Sequence, residues 1–182
     1  MDLSIFKKLS IGNVELRELY IDGVLAWKGG YKNWVRHSIN TDGSIYNGGL
    51  GYKNGSRIRS GGAEGATTTG THTGYIPVKA NDVIRISGCE FSAGRSENAI
   101  NISNSSFTNL GQMAMNSQWA YGSLEGTTYG DYTKSVTEET PGVWKWVVPP
   151  ASYNVAYIRV SAYKSSGGDG ASLIVTVNEE IT

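Results

Sequence analysis

A chain of 182 residues is long enough for one sizeable domain and a small extra element. Its 24 glycines, 18% charged residues and formal net charge of zero suit many short strands joined by tight turns and disfavour a helical protein. No Lys/Arg run supplies a footprint for nucleic acid, and the single cysteine, Cys89, excludes an internal disulfide and a multi-cysteine metal site.

The first eight residues hold no apolar run of signal-peptide length, and no stretch approaches a transmembrane span. The expectation is a protein made in the cytoplasm without a signal peptide, with no membrane insertion, and released by a route such as cell lysis. Residues 9–28 read as a hairpin. Its strongest signal is Tyr20-Ile21-Asp22-Gly23-Val24-Leu25, because Asp-Gly between β-formers is a favoured two-residue turn. That turn pairs Ile21 with Val24 and Tyr20 with Leu25. Strict alternation then places Leu19, Ile21, Val24 and Ala26 on one face, and Tyr20, Leu25 and Trp27 on the other. A lone hairpin with two apolar faces is marginal in water. Leu19, Tyr20, Ile21, Val24, Leu25 and Trp27 are therefore expected to form an assembly interface, covered by the main domain, a sister subunit or a larger assembly. Gly29-Gly30 marks a joint, so residues 1–30 are read as a hairpin element and 31–182 as a β-sandwich.

Residues 31–60 are polar and aromatic with few clean strands. Residues 61–74 read as a small-residue loop in which His72 is solvated, and Cys89 reads as a small buried residue at a strand end. Strand patterns follow at Tyr75-Ile76-Pro77-Val78, Val83-Ile84-Arg85-Ile86-Ser87 and Ala99-Ile100-Asn101-Ile102-Ser103. A short helix fits only within 105–118, and Gly111 weakens it. Val143-Trp144-Lys145-Trp146-Val147-Val148 puts Trp144, Trp146 and Val148 on one face, as core or inter-subunit packing. Ala156, Ile158, Val160 and Ala162 form the buried face of the next strand, and Leu173-Ile174-Val175-Thr176-Val177 closes the chain. The expected fold is an all-β, antiparallel, jelly-roll-like sandwich preceded by an N-terminal β-hairpin.

Three blocks carry a resemblance. Glu18-Leu19-Tyr20-Ile21-Asp22-Gly23-Val24-Leu25-Ala26-Trp27-Lys28, followed by Asn33-Trp34-Val35, resembles a hairpin cassette of phage and prophage tail or virion proteins of Gram-positive gut bacteria. Residues 74–88 and Val155-Ala156-Tyr157-Ile158-Arg159-Val160-Ser161, with Ile174-Val175-Thr176-Val177-Asn178-Glu179, resemble the opening and closing strands of a jelly-roll domain similar to carbohydrate-binding modules. The resemblance implies virion association and glycan or cell-surface recognition. It transfers no catalytic residue. A structural calcium ion stays open from this analogy alone.

Motifs for chemistry are weak. His37 and His72 have no metal-ligand spacing, and the Gly-x-Ser-x-Gly elbow does not occur. Nothing selects a glycosidase pair among carboxylates such as Glu64, Glu125, Asp131, Glu138 and Asp169. Asn40-Thr41-Asp42-Gly43-Ser44 resembles the start of a calcium loop, but the twelfth position is Gly51 instead of glutamate, so a turn is the stronger reading. Gly49-Leu50-Gly51-Tyr52-Lys53-Asn54-Gly55 misses the phosphate-cradling spacing and reads as backbone turns. No catalytic residue, cofactor or metal is expected.

The aromatics, 5 Trp, 11 Tyr and 3 Phe, are the best functional material. Flat rings stack on the C–H faces of sugars and serve equally well at protein interfaces. Trp119, Tyr121, Tyr129 and Tyr132 are the candidate carbohydrate or host contacts. The competing reading folds Trp119 and Tyr121 back over a sandwich edge. The expected function is a non-enzymatic virion module of the tail, baseplate or fibre. Its expected partners are other virion proteins, host cell-surface carbohydrate and further copies of itself, in a trimer on the analogy of phage fibres. A ligand-free capsid decoration protein is the alternative, and a small glycoside-active enzyme a third.

Overall fold

A computed structural model describes residues 32–59, 61–88, 99–114, 120–122, 137–163 and 170–181, and the strand backbone of 9–11, 14–16, 18–21 and 24–28. The chain divides into two compact units, Met1–Lys32 and Asn33–Thr182.

The first unit contains two antiparallel ribbons where the sequence suggested one hairpin. Strands β1 (Leu9–Ile11) and β2 (Val14–Leu16) pair with each other, as do β3 (Glu18–Ile21) and β4 (Val24–Lys28). The physical reason lies in the sequence, where Gly12-Asn13 is itself a hairpin dipeptide. Around Asp22-Gly23 the register is the expected one, Ile21 opposite Val24 and Tyr20 opposite Leu25. It then shifts, so that Leu19 lies opposite Trp27 with Ala26 as the extra residue. Such a bulge breaks the two-residue alternation, and the face assignment read from the sequence does not extend past it.

The second unit is an antiparallel β-sandwich. Its larger sheet holds β5 (Tyr52–Ile58), β6 (Glu64–Thr73), β7 (Ile76–Pro77), β9 (Ala99–Ser103), β10 (Asn109–Ala114), β11 (Ala120–Gly122) and β14 (Tyr157–Tyr163). The order is β11-β10-β9-β14-β6-β5, with β7 paired to β14. The smaller sheet holds β8 (Val83–Ser87), β12 (Thr137–Thr140), β13 (Val143–Val147) and β15 (Ile174–Val177), ordered β12-β13-β8-β15. Sequential pairs (β5–β6, β9–β10, β10–β11 and β12–β13) are joined to one another by distant ones (β9–β14, β14–β6, β13–β8 and β8–β15).

The core follows from strand alternation. Ile100 and Ile102 of β9, Ile158, Val160 and Ala162 of β14, and Ile76 of β7 face Ile84 and Ile86 of β8, Trp146 and Val148 of the β13 segment, and Val175 of β15. All are at most 1% exposed, and each large one contributes roughly 1.5–3 kcal/mol by leaving water. Trp144, Trp146 and Val148 are core, as their shared face suggested. The outer face of the smaller sheet is polar: Glu139 of edge strand β12 bridges the cross-strand neighbours Arg85 and Lys145, at 2.5 and 2.9 Å.

Three local expectations are corrected. Residues 64–73 are the ten-residue strand β6 and not a loop. Its Thr-rich run is β-branched and favours a pleated surface despite few large apolar side chains. Residues 109–114 are strand β10, not part of a helix; pairing with β9 overrides local propensity, and Gly111 (φ 150°) sits where the register shifts. The glycine-rich stretch expected to be turns becomes strand from Tyr52 onward, with Gly55 (φ 70°) at a register shift of its own. The 40–44 segment is a turn as read: Asp42 Oδ1 accepts from the Ser44 backbone N–H at 2.9 Å and the Ser44 hydroxyl at 2.6 Å. Those two bonds hold its carboxyl below the usual range.

Candidate functional site: a polar and aromatic pocket on the larger sheet

The alternation that sends isoleucines into the core sends their neighbours outward. Asn101 and Ser103 of β9 lie between or beside Ile100 and Ile102, while Tyr157 and Arg159 of β14 flank Ile158. The register sets Arg159 directly opposite Asn101 and Tyr157 opposite Ser103. An outward face is normally solvated, yet here Asn101, Ser103 and Arg159 are only 1%, 3% and 6% exposed. The turn between β5 and β6 lies over them. Asn101 Nδ2 donates to the Arg59 carbonyl at 3.1 Å, and Arg159 Nη1 donates to the Gly62 carbonyl at 3.4 Å.

Between this turn and the loop joining β9 to β10 is a pocket of about 330 Å³, at the small end of the ~300–1,000 Å³ typical of small-molecule sites. Its walls are Ile58, Gly61, Gly62, Ala63, Tyr75, Asn101, Ser103, Phe107, Asn109 and Arg159. Asn101 Oδ1 is buried without a hydrogen-bond partner among the described residues. An orphaned buried acceptor costs roughly 1–3 kcal/mol, so a donor supplied from within the pocket would recover stability.

The aromatic wall is held rigidly. Phe107 adopts φ 61°, an unfavourable region for a bulky side chain. The 104–108 loop over-determines it. Asn104 Oδ1 accepts from the backbone N–H groups of Ser106 at 2.9 Å and Thr108 at 3.0 Å, while the Phe107 N–H donates to the Asn104 carbonyl at 3.0 Å. The Phe107 ring stacks on Tyr157 (4.5 Å, 22°) and meets Tyr75 edge-on at 4.9 Å. The Arg159 guanidinium lies 4.9 Å from the Tyr75 ring centroid, a cation–π distance.

Behind the pocket a partly buried network fixes Arg159. Its Nη2 donates to Glu64 Oε1 at 3.0 Å, which also accepts from the Tyr46 hydroxyl at 2.8 Å. Glu64 Oε2 accepts from Lys53 Nζ at 2.7 Å and lies 3.7 Å from His72 Nε2. Burial alone would raise the Glu64 pKa, but the hydrogen bonds from Lys53 and Tyr46 and the charge of Arg159 outweigh it, lowering it to about 2. Burial, with the Glu64 carboxylate adjacent, pushes the Tyr46 phenol up. His72, fully buried and facing the side of Arg159, is lowered to about 4, first by burial. Its Nδ1–H donates to the Thr73 carbonyl at 2.9 Å, which assigns the tautomer of the neutral ring. The solvated His72 expected from the sequence is thus overturned: β6 carries it opposite Ser161 of β14.

Trp119, Tyr129, Tyr132 and Cys89 lie outside the described residues. Tyr121 is on β11, where its backbone pairs with Gln112 of β10. In the sequence Glu64 is one of several unselected carboxylates, and nothing there gives Tyr46, Asn101, Phe107 or Arg159 a role in a site. Alternation on β9 and β14 did place Asn101 and Arg159 on outward faces, but which strands adjoin was not readable. Among the described residues no group of three or more His, Cys, Asp or Glu side chains is placed to hold a metal ion. Comparison with known protein families, curated proteins and solved structures returns no match.

Proposed function

We propose that this chain is a structural and adhesive module of a bacteriophage particle, built to hold host-surface carbohydrate without chemically altering it. The observation carrying the adhesive part is the pocket, where an orphaned amide oxygen, a fixed guanidinium and a rigid aromatic wall converge on a space of ligand size. Sugars present the complementary surface, apolar C–H faces edged with hydroxyls that both donate and accept. The virion assignment rests on the resemblance of residues 18–28 with 33–35, of 74–88, and of 155–161 with 174–179 to modules of phage tail and virion proteins. In this reading Leu19, Tyr20, Ile21, Val24, Leu25 and Trp27 form the contact to other virion proteins or sister copies. Trp119, Tyr121, Tyr129 and Tyr132 extend the contact to the host surface. Several copies multiply weak single-site contacts into firm attachment.

Binding is favoured over hydrolysis by the state of Glu64. A glycosidase needs a carboxylic acid kept protonated near neutral pH beside a second carboxylate. Glu64 is the nearest carboxylate to the pocket in its network, both its oxygens accept hydrogen bonds, and its pKa is depressed. The test is adsorption of the labelled full-length chain to Gram-positive gut bacteria and to a glycan array, run beside a reducing-sugar assay on the same polysaccharides. Adsorption without sugar release is expected. Sugar release would favour the enzyme, and absence of adsorption to any cell or glycan would favour a ligand-free decoration protein.

A further inference from the structure

Resting on the adhesive reading, we infer that the pocket between Phe107 and Arg159 selects an uncharged pyranose, seated by a hydroxyl donor on Asn101 Oδ1 and excluding acidic sugars. Three independent observations lead there.

The first is the sign of the vacant hydrogen-bonding position. Asn101 is oriented by its own Nδ2, which donates to the Arg59 carbonyl, so its oxygen cannot exchange places with its nitrogen without losing that bond. The unpartnered atom is therefore an acceptor. It recruits a ligand O–H or N–H and repels a carboxylate or sulfate oxygen.

The second is the state of the guanidinium. A free arginine in a pocket would argue for an anion. Arg159 is instead already bonded to the Glu64 carboxylate at 3.0 Å and the Gly62 carbonyl at 3.4 Å. Its Nη2 is engaged by a carboxylate that it shares with Lys53, its Nε by the Thr73 carbonyl, and its remaining N–H groups suit a neutral ring or hydroxyl oxygen.

The third is the wall. Phe107 at positive φ is clamped by Asn104 and backed by Tyr157. Strain held in place by surrounding bonds marks preorganisation for a ligand. A flat ring beside Tyr75 offers an apolar surface to the C–H face of a pyranose. The turn glycines Gly61 and Gly62 bring bare backbone to the opposite wall.

Two substitutions leave the fold in place. Phe107→Gly removes the ring where glycine relieves the backbone. Gly61→Trp adds bulk at the wall, where a Cβ meets no atom within 4 Å. The measurement is a ¹H–¹⁵N titration of the full chain with the methyl glycosides of glucose, galactose, mannose and N-acetylglucosamine, and with the methyl glycosides of glucuronic acid and sialic acid as acidic counterparts. The Asn101 side-chain NH₂ and the Phe107 amide are the reporters. At least one neutral glycoside is expected to shift both signals. Both variants, with otherwise native spectra, are expected to bind it at least tenfold more weakly, and the acidic sugars are expected to leave the reporters unmoved. Stronger shifts from an acidic sugar would overturn the ligand class. Neutral binding unchanged in both variants, or cell adsorption with no response at the reporters to any sugar, would overturn the pocket assignment while leaving adhesion standing. Silence of the reporters together with no adsorption to cells would remove both.

Discussion

Arg159 is the residue on which the outer face of the larger sheet turns, and Glu64 is what makes its burial tolerable. Breaking a buried ion pair by deleting one partner is far costlier than the pair's net worth, because the other charge is stranded. Glu64→Gln is expected to destabilise the domain by about 2–3 kcal/mol in urea unfolding, scaled down from the buried-pair value because Glu64 is one-third exposed. Lys53→Ala, removing a half-exposed partner of the same carboxylate, should cost less than ~1 kcal/mol. Equal effects from the two would dissolve the distinction. His72 adds a pH dependence with a definite sign. Its folded pKa of about 4 lies below the ordinary 6.5, so between these values the unfolded chain binds a proton that the folded chain does not. Stability is full above pH 6.5 and declines as pH falls toward 4, by about 3 kcal/mol at ~1.4 kcal/mol per pKa unit. Glu64 adds a second decline from about pH 4.5 toward 2. In His72→Gln the limb between pH 6.5 and 4 should flatten; persistence of that limb in the variant would assign it elsewhere.

At the scale of elements, turns and their neighbours decide what a substitution costs. Gly43 and Gly51 have nearly the same φ, +83° and +79°, but a Cβ at Gly43 meets nothing within 4 Å whereas one at Gly51 would lie 1.9 Å from the Val35 carbonyl oxygen. Gly43→Ala is therefore expected to cost only the left-handed penalty of ~1–2 kcal/mol. Gly51→Ala, which must also displace the 34–37 turn from the core, should exceed ~3 kcal/mol. Thermal unfolding of the two variants checks this, and similar melting temperatures would refute the close approach. The same contrast explains what was legible beforehand. The inward isoleucines of β8, β9 and β14 and the Trp144/Trp146 pair were readable, because alternation is a local property of the chain. The Asp22-Gly23 register was readable for the same reason. Strand β6 was not, because Thr and Gly also compose loops and its partner β14 lies some ninety residues onward. Asn101 and Arg159 were visible as outward polar residues, but their adjacency depends on the β9–β14 register and their burial on the 59–63 turn. Phe107 carried no signal, since its strained backbone is imposed by Asn104 only once the loop closes.

At the scale of the whole molecule, the proposed function divides between the two compact units: assembly for the first, whose short ribbons are too small to be stable alone, and contact with the host for the sandwich. Light scattering on the full chain is expected to show a homo-oligomer, and a strict monomer at micromolar concentration would count against attachment by avidity. Attachment in this reading requires that carbohydrate is what the sandwich holds. Mild periodate oxidation opens the vicinal diols of surface sugars while sparing most protein, so the decisive measurement is adsorption of the labelled chain to host cells before and after that treatment. Adsorption should fall at least tenfold after oxidation and survive protease shaving of the same cells; adsorption indifferent to periodate but abolished by protease would contradict the account.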